Sequence, residues 1–500
     1  MLFNPTHLTD AYKLDHRRQY PEGTTRVYSN LTPRGSRMAG IDYCVFFGLQ
    51  AFLKEYVDLW ARWFAMPKSL AIMDYQHLLD SVLGPNEVGT DHIAALHSLG
   101  YLPLEFRALP EGSIVPLRVP LLTVENTHDE FFWLTNYIET ALSSALWLSC
   151  TSATTAYALR KMLESRARVS GDEAFVDWQG HDFSMRGMSS IESGAASGAG
   201  HLLSFTGTDT LSALDWINVF YPGDNGFIGG SVPATEHSVM CAGSQMGEYA
   251  TFCRLLDLYP TGTVSVVSDT WDLWHVVAQI LPALKDKILA RDGKLVIRPD
   301  SGDPADILCG TSWVDANDKT ALETMDPAEK GLIQCLYDIF GGTKNAKGFI
   351  ELDPHIGAIY GDSITFDRAA DITHRLMEKG FASTNVVLGV GSYTYQYKTR
   401  DSLQMAMKAT WAEVNGEGRD LFKNPITDDG LKKSAKGRLA VLRDSLMQFT
   451  LVEGATAAEE DASLLELVFR DGWFAREQSF ADVRAVLRTS DVPAKGLVAA

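Results

Sequence analysis

Between about residues 150 and 400, short apolar runs end one after another in a polar or glycine-bearing turn, with helical stretches between them. Residues 175–179 lead into His181-Asp182-Phe183-Ser184-Met185-Arg186-Gly187, and 263–267 into Ser268-Asp269. Residues 295–297 lead into Arg298-Pro299-Asp300, 356–360 into Gly361-Asp362, and 386–388 into Gly389-Val390-Gly391-Ser392. Strands alternating with helices specify a parallel sheet or barrel. In such a sheet all five turns open on one rim, and polar strand ends on one rim form a single site.

The flanks read differently. Residues 10–16 open a helix capped by Thr9 or Asp10, 46–63 give an amphipathic helix, and 110–124 give short strands. Residues 130–147 give a long apolar helix, and 366–379 a helix started by Asp362 or Ser363 and stopped by Gly380. Beyond 405 come short strands with turn signals. The expected division is a composite β-rich α+β domain from 1–145 with 405–500, and an α/β barrel over 146–404. Lys432, Lys433, Lys436 and Arg438 form a solvated face or a phosphate contact.

Five hundred residues exceed one ordinary core, which agrees with two domains. A net charge of -19 argues against a nucleic-acid face, so an anionic ligand must be met by local cations. The six cysteines form no CxxC pair and read as reduced thiols of a cytoplasmic protein. No signal peptide or bilayer-spanning run is expected.

Arg298 and Asp300 stand side by side where a strand ends, as a turn-closing salt bridge or as ligand-binding groups. Arg186, Arg298, Arg400 and Lys408 suit phosphate oxygens, and the glycines at 361, 389 and 391 admit close approach of a ligand to backbone N–H groups. Together they suggest a substrate with more than one phosphate. No Walker lysine is present, which excludes an ordinary P-loop. Asp300 and Asp362 can accept from a sugar diol, bind a metal or cap helices; Asp269 is a cap or the partner of a neighbouring arginine. Residues 229–237 open a helix with Pro233 in its first position and His237 in its first turns, as a candidate nucleophile.

These residues fall into a known series. TDAYKLDH (9–16), VENT (124–127), HDFSMRGMSS (181–190), GTDT (207–210), SVPATEHS (231–238), VSVVSD (264–269), IRPDSG (297–302), YGD (360–362), KTRD (398–401) and KGRL (436–439) stand in the order of the nicotinamide phosphoribosyltransferase family. The chain resembles that family along nearly its whole length. The resemblance implies a type II phosphoribosyltransferase, an irregular α/β barrel with a second β-rich domain built from both chain ends. It implies a homodimer with each active site at the subunit interface.

The implied reaction transfers 5-phosphoribosyl from phosphoribosyl pyrophosphate to nicotinamide, giving nicotinamide mononucleotide and pyrophosphate for NAD salvage. Mg²⁺ is the implied cofactor and ATP a co-substrate. The implied catalytic residues are His237, as a phosphorylatable histidine, with Asp300 and Arg298. Phe183 and the other subunit's Tyr12 sandwich the pyridine ring, Asp209 accepts from the carboxamide, and Arg298 lies near it. Arg186 and Arg298 hold pyrophosphate, and Asp300 and Asp362 the ribose hydroxyls. Gly361, Gly391, Ser392, Arg400 and Lys408 cradle the 5′-phosphate. Ser392 and Tyr393 stand where the family has glycines, Ala406 stands where it often has serine, and 303–350 matches poorly. The alternatives are a nicotinate phosphoribosyltransferase and a non-catalytic binding protein on the same fold.

Overall fold

The computed structural model describes residues 3–361, 363–423 and 434–490. It divides into two units: Met1–Thr154 with Asp215–Gly226 and Lys398–Ala500, and Thr155–Leu214 with Phe227–Tyr397. The boundary at 154 falls inside one continuous helix, Glu139–Ser170.

The first unit is built on a seven-stranded antiparallel sheet. Its ten-residue strand Thr24–Pro33 lies between Leu122–Asn126 and Met405–Val414, so both ends of the chain interleave in one sheet. The helix Leu49–Phe64 buries Leu49, Phe52, Leu53, Tyr56, Trp60 and Trp63, an apolar stripe at helical spacing. Its free N-terminal donors are met from far away. Gly48 N–H and Gln50 N–H donate to the buried carboxylate of Glu111 at 2.6 and 2.7 Å.

The second unit carries the site. Six parallel strands, β1 (Gly180–Asp182), β2 (Gly207–Thr208), β3 (Thr261–Val267), β4 (Asp292–Arg298), β5 (Ile356–Tyr360) and β6 (Val386–Val390), pair in the order β2-β1-β6-β5-β4-β3. Their buried Val, Ile and Leu side chains form the core with the surrounding helices. One irregular segment joins the two sheet edges: Gly230 bridges Gly207 of β2 and Ala234 bridges Ser265 of β3. Thr208 N–H donates to Gly230 O at 3.0 Å, and Ser265 N–H to Pro233 O at 2.9 Å. Proline suits this place because only its carbonyl is used. The result is an irregular α/β barrel whose strand C-termini share one rim.

Several elements differ from expectation. Residues 175–179 are not a strand: Asp172 accepts Ala174 N–H and starts two short helices, Glu173–Phe175 and Val176–Gln179. The strand is confined to β1. The apolar stretch 130–147 breaks around Ile138, and the helix then runs on to Ser170, where Gly171 is the first residue to interrupt it. Thr365, not Ser363, caps the helix Phe366–Glu378, and Ser363 sits at φ 57°. Asp362 lies outside the described residues, as do Lys432 and Lys433. Pro233 belongs to the bridging segment, so the helix His237–Ala242 begins at His237 itself. The helix expected to open over 10–16 is split into a turn of 3₁₀-helix, Ala11–Lys13, and a separate short helix, His16–Gln19. Arg438 is neither solvated nor free: it pairs with Glu125 at 3.0 Å and Glu460 at 2.7 Å.

Candidate active site

The rim of the second unit collects its polar groups through strand order. β1 delivers Phe183 and Arg186, β2 delivers Asp209, β3 delivers Asp269 and Thr270, and β4 delivers Arg298 and Asp300. β5 ends at Gly361, and β6 at Gly391 and Ser392. A run of contacts links the first four strands and His237. Asp209 Oδ1 accepts from His181 Nε2 at 3.0 Å. The His181 ring packs on Phe183 with centroids 4.5 Å apart. The Arg298 guanidinium lies 5.5 Å from the Phe183 centroid and donates to Asp300 Oδ2 at 3.3 Å. His237 Nε2 stands 3.9 Å from the same Asp300 oxygen, and its Nδ1 is hydrogen-bonded to Thr270 Oγ1 at 3.2 Å.

Asp300 is braced by its neighbours. Its N–H and the Ser301 hydroxyl both donate to Asp269 Oδ2, at 2.9 and 2.6 Å. Asp269 is thus a loop brace and not a helix cap or an arginine partner. Gly361 is required by close approach: a Cβ there would stand 1.9 Å from Asp300 Oδ1 and 2.9 Å from Arg298 Nε. Burial and the charges of Asp269, Asp300 and Asp303 push the Tyr360 hydroxyl beneath this loop up to about 12. Asp209 moves the other way. Burial works against its charge, but hydrogen bonds from His181 and Ser231 and the charges of His181 and Arg298 hold it below the usual carboxylate range.

Two spaces adjoin these groups. A cavity of about 560 Å³ enters the barrel past His181, Phe183, Asp209 and Arg298 and reaches Trp178 and Val296. A cleft of about 510 Å³ lies along Phe183, Arg186, Ile191 and Asp209. Arg186 is exposed and has no ion-pair partner among the described residues. Gly391 precedes the short helix Ser392–Gln396, and Ser392 Oγ lies where a Cβ on Gly187 would stand, 2.0 Å away. Among the described residues, Asp269 Oδ1 and Asp300 Oδ1 are buried without a hydrogen-bond partner. Such oxygens fit Mg²⁺, which takes one or two carboxylates and fills its other positions with substrate phosphate and water.

The remaining candidates belong to the first unit. Tyr12 is 64% exposed, its ring 5.3 Å from His16. Arg400 pairs with Asp401 at 3.1 Å. Lys408 lines a cavity of about 220 Å³ with Arg34 and Arg118, and its Nζ lies 3.7 Å from Glu139. Burial pushes the Lys408 ammonium down, Glu139 opposes this, and Arg34, Lys423 and Lys13 add to it. Reading the sequence missed Arg34, Arg118, Thr270 and His181. His181 lies in the HDFSMRGMSS stretch, but a histidine within a strand carries no sign of a partner 28 residues away.

Comparisons with known proteins give the family. Residues 178–472 match the model of the nicotinate phosphoribosyltransferase family, and 4–105 match the nicotinamide phosphoribosyltransferase N-terminal domain. The chain is 50% identical over 496 residues to a nicotinamide phosphoribosyltransferase of Acinetobacter baylyi, covering 96% of each chain. It belongs to the nicotinamide phosphoribosyltransferase family. A family member from Mycoplasma pneumoniae is 38% identical, over 86% of this chain and 94% of that one. Two solved structures share the fold, each with a TM-score of 0.55. They are a nicotinate-nucleotide pyrophosphorylase from Pyrococcus furiosus (15% identity, 97% and 95% coverage) and human nicotinic acid phosphoribosyltransferase (18%, 96% and 93%).

Proposed function

We propose that the chain transfers 5-phosphoribosyl from phosphoribosyl pyrophosphate to the ring nitrogen of nicotinamide, releasing pyrophosphate. Family membership supports this, and one observation carries it to the residues: the unbroken run of contacts from Asp209 through His181, Phe183, Arg298 and Asp300 to His237.

In this reading the pyridine ring stacks on Phe183, with Tyr12 of the partner subunit on its other face. Asp209 accepts from the carboxamide N–H, and Arg298 borders the amide. The C1–O bond to pyrophosphate breaks as the N–C1 bond forms, so positive charge grows on the ribose and negative charge on the leaving group. Arg186 and Arg298 meet the leaving group; Asp300, with Asp362, holds the ribose hydroxyls beside the growing cation. Gly361, Gly391, Ser392, Arg400 and Lys408 receive the 5′-phosphate. The attacking nitrogen carries no proton, so no general base is needed. Asp300 and Asp269 would hold Mg²⁺, which would supply neutralisation of phosphate charge. Each preorganised group of this kind contributes about 3 kcal/mol to transition-state stabilisation. His237 takes the γ-phosphoryl of ATP: a nitrogen–phosphorus bond forms, the bond to the β-phosphate breaks, and ADP leaves. Thr270 occupies Nδ1, so Nε2 is the nitrogen in play.

The test is side-by-side turnover of nicotinamide and nicotinic acid by the purified chain with Mg²⁺ and phosphoribosyl pyrophosphate. Nicotinamide mononucleotide and pyrophosphate should form in equal amounts, and faster from nicotinamide. Faster use of nicotinic acid would assign the sister activity, and no pyrophosphate with either ring would leave a binding protein.

A further inference from the structure

His181 joins Asp209 to Phe183 at the ring pocket and takes no part in the chemistry of the transfer. Its side chain is buried, in the middle of the three-residue strand β1. Three contacts fix it. Its Nε2–H donates to Asp209 Oδ1 at 3.0 Å, and because a carboxylate only accepts, that contact also sets the tautomer. One ring face packs on Phe183 at 4.5 Å, tilted by 33°. The third contact is Gly207, its register partner in β2, where a Cβ would stand 2.7 Å from Nδ1. Strand pairing therefore places the imidazole, and the imidazole reaches both the stacking ring and the carboxylate.

Asp209 needs such a hold. Its side chain is 41% exposed and free to turn about two torsions without a partner. His181 holds Oδ1 and Ser231 also donates to the carboxylate, and the lone pairs that remain are the acceptors left for a carboxamide. A fixed anion rewards an N–H at one place and repels a carboxylate at the same place, so both halves of the discrimination depend on its position.

We infer that His181 is a positioning residue that sets substrate specificity: it aims the Asp209 carboxylate and so determines the preference for the neutral amide over nicotinate. This rests on the nicotinamide reading of the same site. His181 touches no reacting atom.

The experiment measures kcat and KM for nicotinamide and nicotinate with His181→Leu, His181→Gln, Asp209→Asn and the Leu/Asn double variant. The wild type is measured first. If it does not turn over nicotinamide, the parent reading fails, and this one with it. If it does, the variants decide this inference alone. Loss of a hydrogen bond to a charged group in His181→Leu should lower the nicotinamide-to-nicotinate ratio of kcat/KM by about ten- to a hundredfold, through the nicotinamide KM. His181→Gln keeps an N–H donor and should hold the ratio within about threefold of wild type. In the Asp209→Asn background the Leu change should move the ratio by less than about twofold, because coupled sites are not additive. Should the Leu variant fail to fold, His181→Asn, whose amide is too short to reach Asp209, takes its place with the same expected loss. An unchanged ratio in His181→Leu, a Gln variant as impaired as Leu, or equal losses in both backgrounds would overturn the inference.

Discussion

At the scale of single residues, charge is managed by named donors. Asp209 keeps its carboxylate ionised although burial opposes it, because His181 and Ser231 donate to it and Arg298 lies nearby. A folded pKa below the unfolded one means that this stabilisation is present above the ordinary carboxyl range and is lost as pH falls through the folded value. The nicotinamide KM should therefore show no carboxylate titration above about pH 4. A rise centred in the range of about pH 5 to 6 would show Asp209 titrating above an ordinary carboxylate. His237→Ala tests the other end of the contact run: nicotinamide affinity should persist while stimulation by ATP disappears, and stimulation that survives removes the phosphohistidine role. Arg298 and Asp300 were legible as candidates because they stand where an apolar run ends, and Phe183 and Asp209 only through the order of the motif series. His181 and Thr270 were not, since each acquires meaning only from a partner that the fold brings from another strand or helix.

At the scale of elements, glycine and buried carboxylate positions carry the loops. Gly361→Ala puts a methyl group where Asp300 Oδ1 lies, so Asp300 must turn. Steady-state kinetics should show kcat lower by about a hundredfold, the typical value for losing one preorganised group, with a nearly unchanged melting temperature. A variant with wild-type kcat would show that Asp300 does not act from its present position. Glu111 works on stability instead. It accepts from Gly48, Gln50 and the Tyr221 hydroxyl, and burial pushes its carboxyl up. Glu111→Ala leaves those donors unpaired and should cost about 2 kcal/mol or more in chemical denaturation; no change in the midpoint would contradict that role. Strands β3 to β6 were legible as apolar runs ending in polar turns. Residues 175–179 were not, because the side-chain cap from Asp172 turned an apolar run into helix. The helix expected over 130–147 starts too early and stops too soon: the continuous helix is Glu139–Ser170, and nothing in 148–170 breaks it.

At the scale of the whole molecule, the two chain ends share one antiparallel sheet, and the barrel is closed by a segment with no regular structure. The first of these was legible as a change of pattern at both flanks. The closure was not, because two isolated bridges leave no periodicity in a sequence. Tyr12 lies in one unit and Phe183 in the other. If partner subunits supply them to one site, mixing inactive Tyr12→Ala and Phe183→Ala dimers should restore about a quarter of wild-type activity after random subunit exchange. A mixture that stays inactive after exchange places both rings on the same protomer's site or assigns one of them no role.

The central claim is that a flat amide-bearing ring lies on Phe183 with its carboxamide on Asp209. A crystal structure of the chain soaked with nicotinamide measures that directly. The ring should stack on Phe183, with the amide nitrogen about 3 Å from an Asp209 carboxylate oxygen. A ring bound elsewhere, or Asp209 turned away from it, would contradict the account.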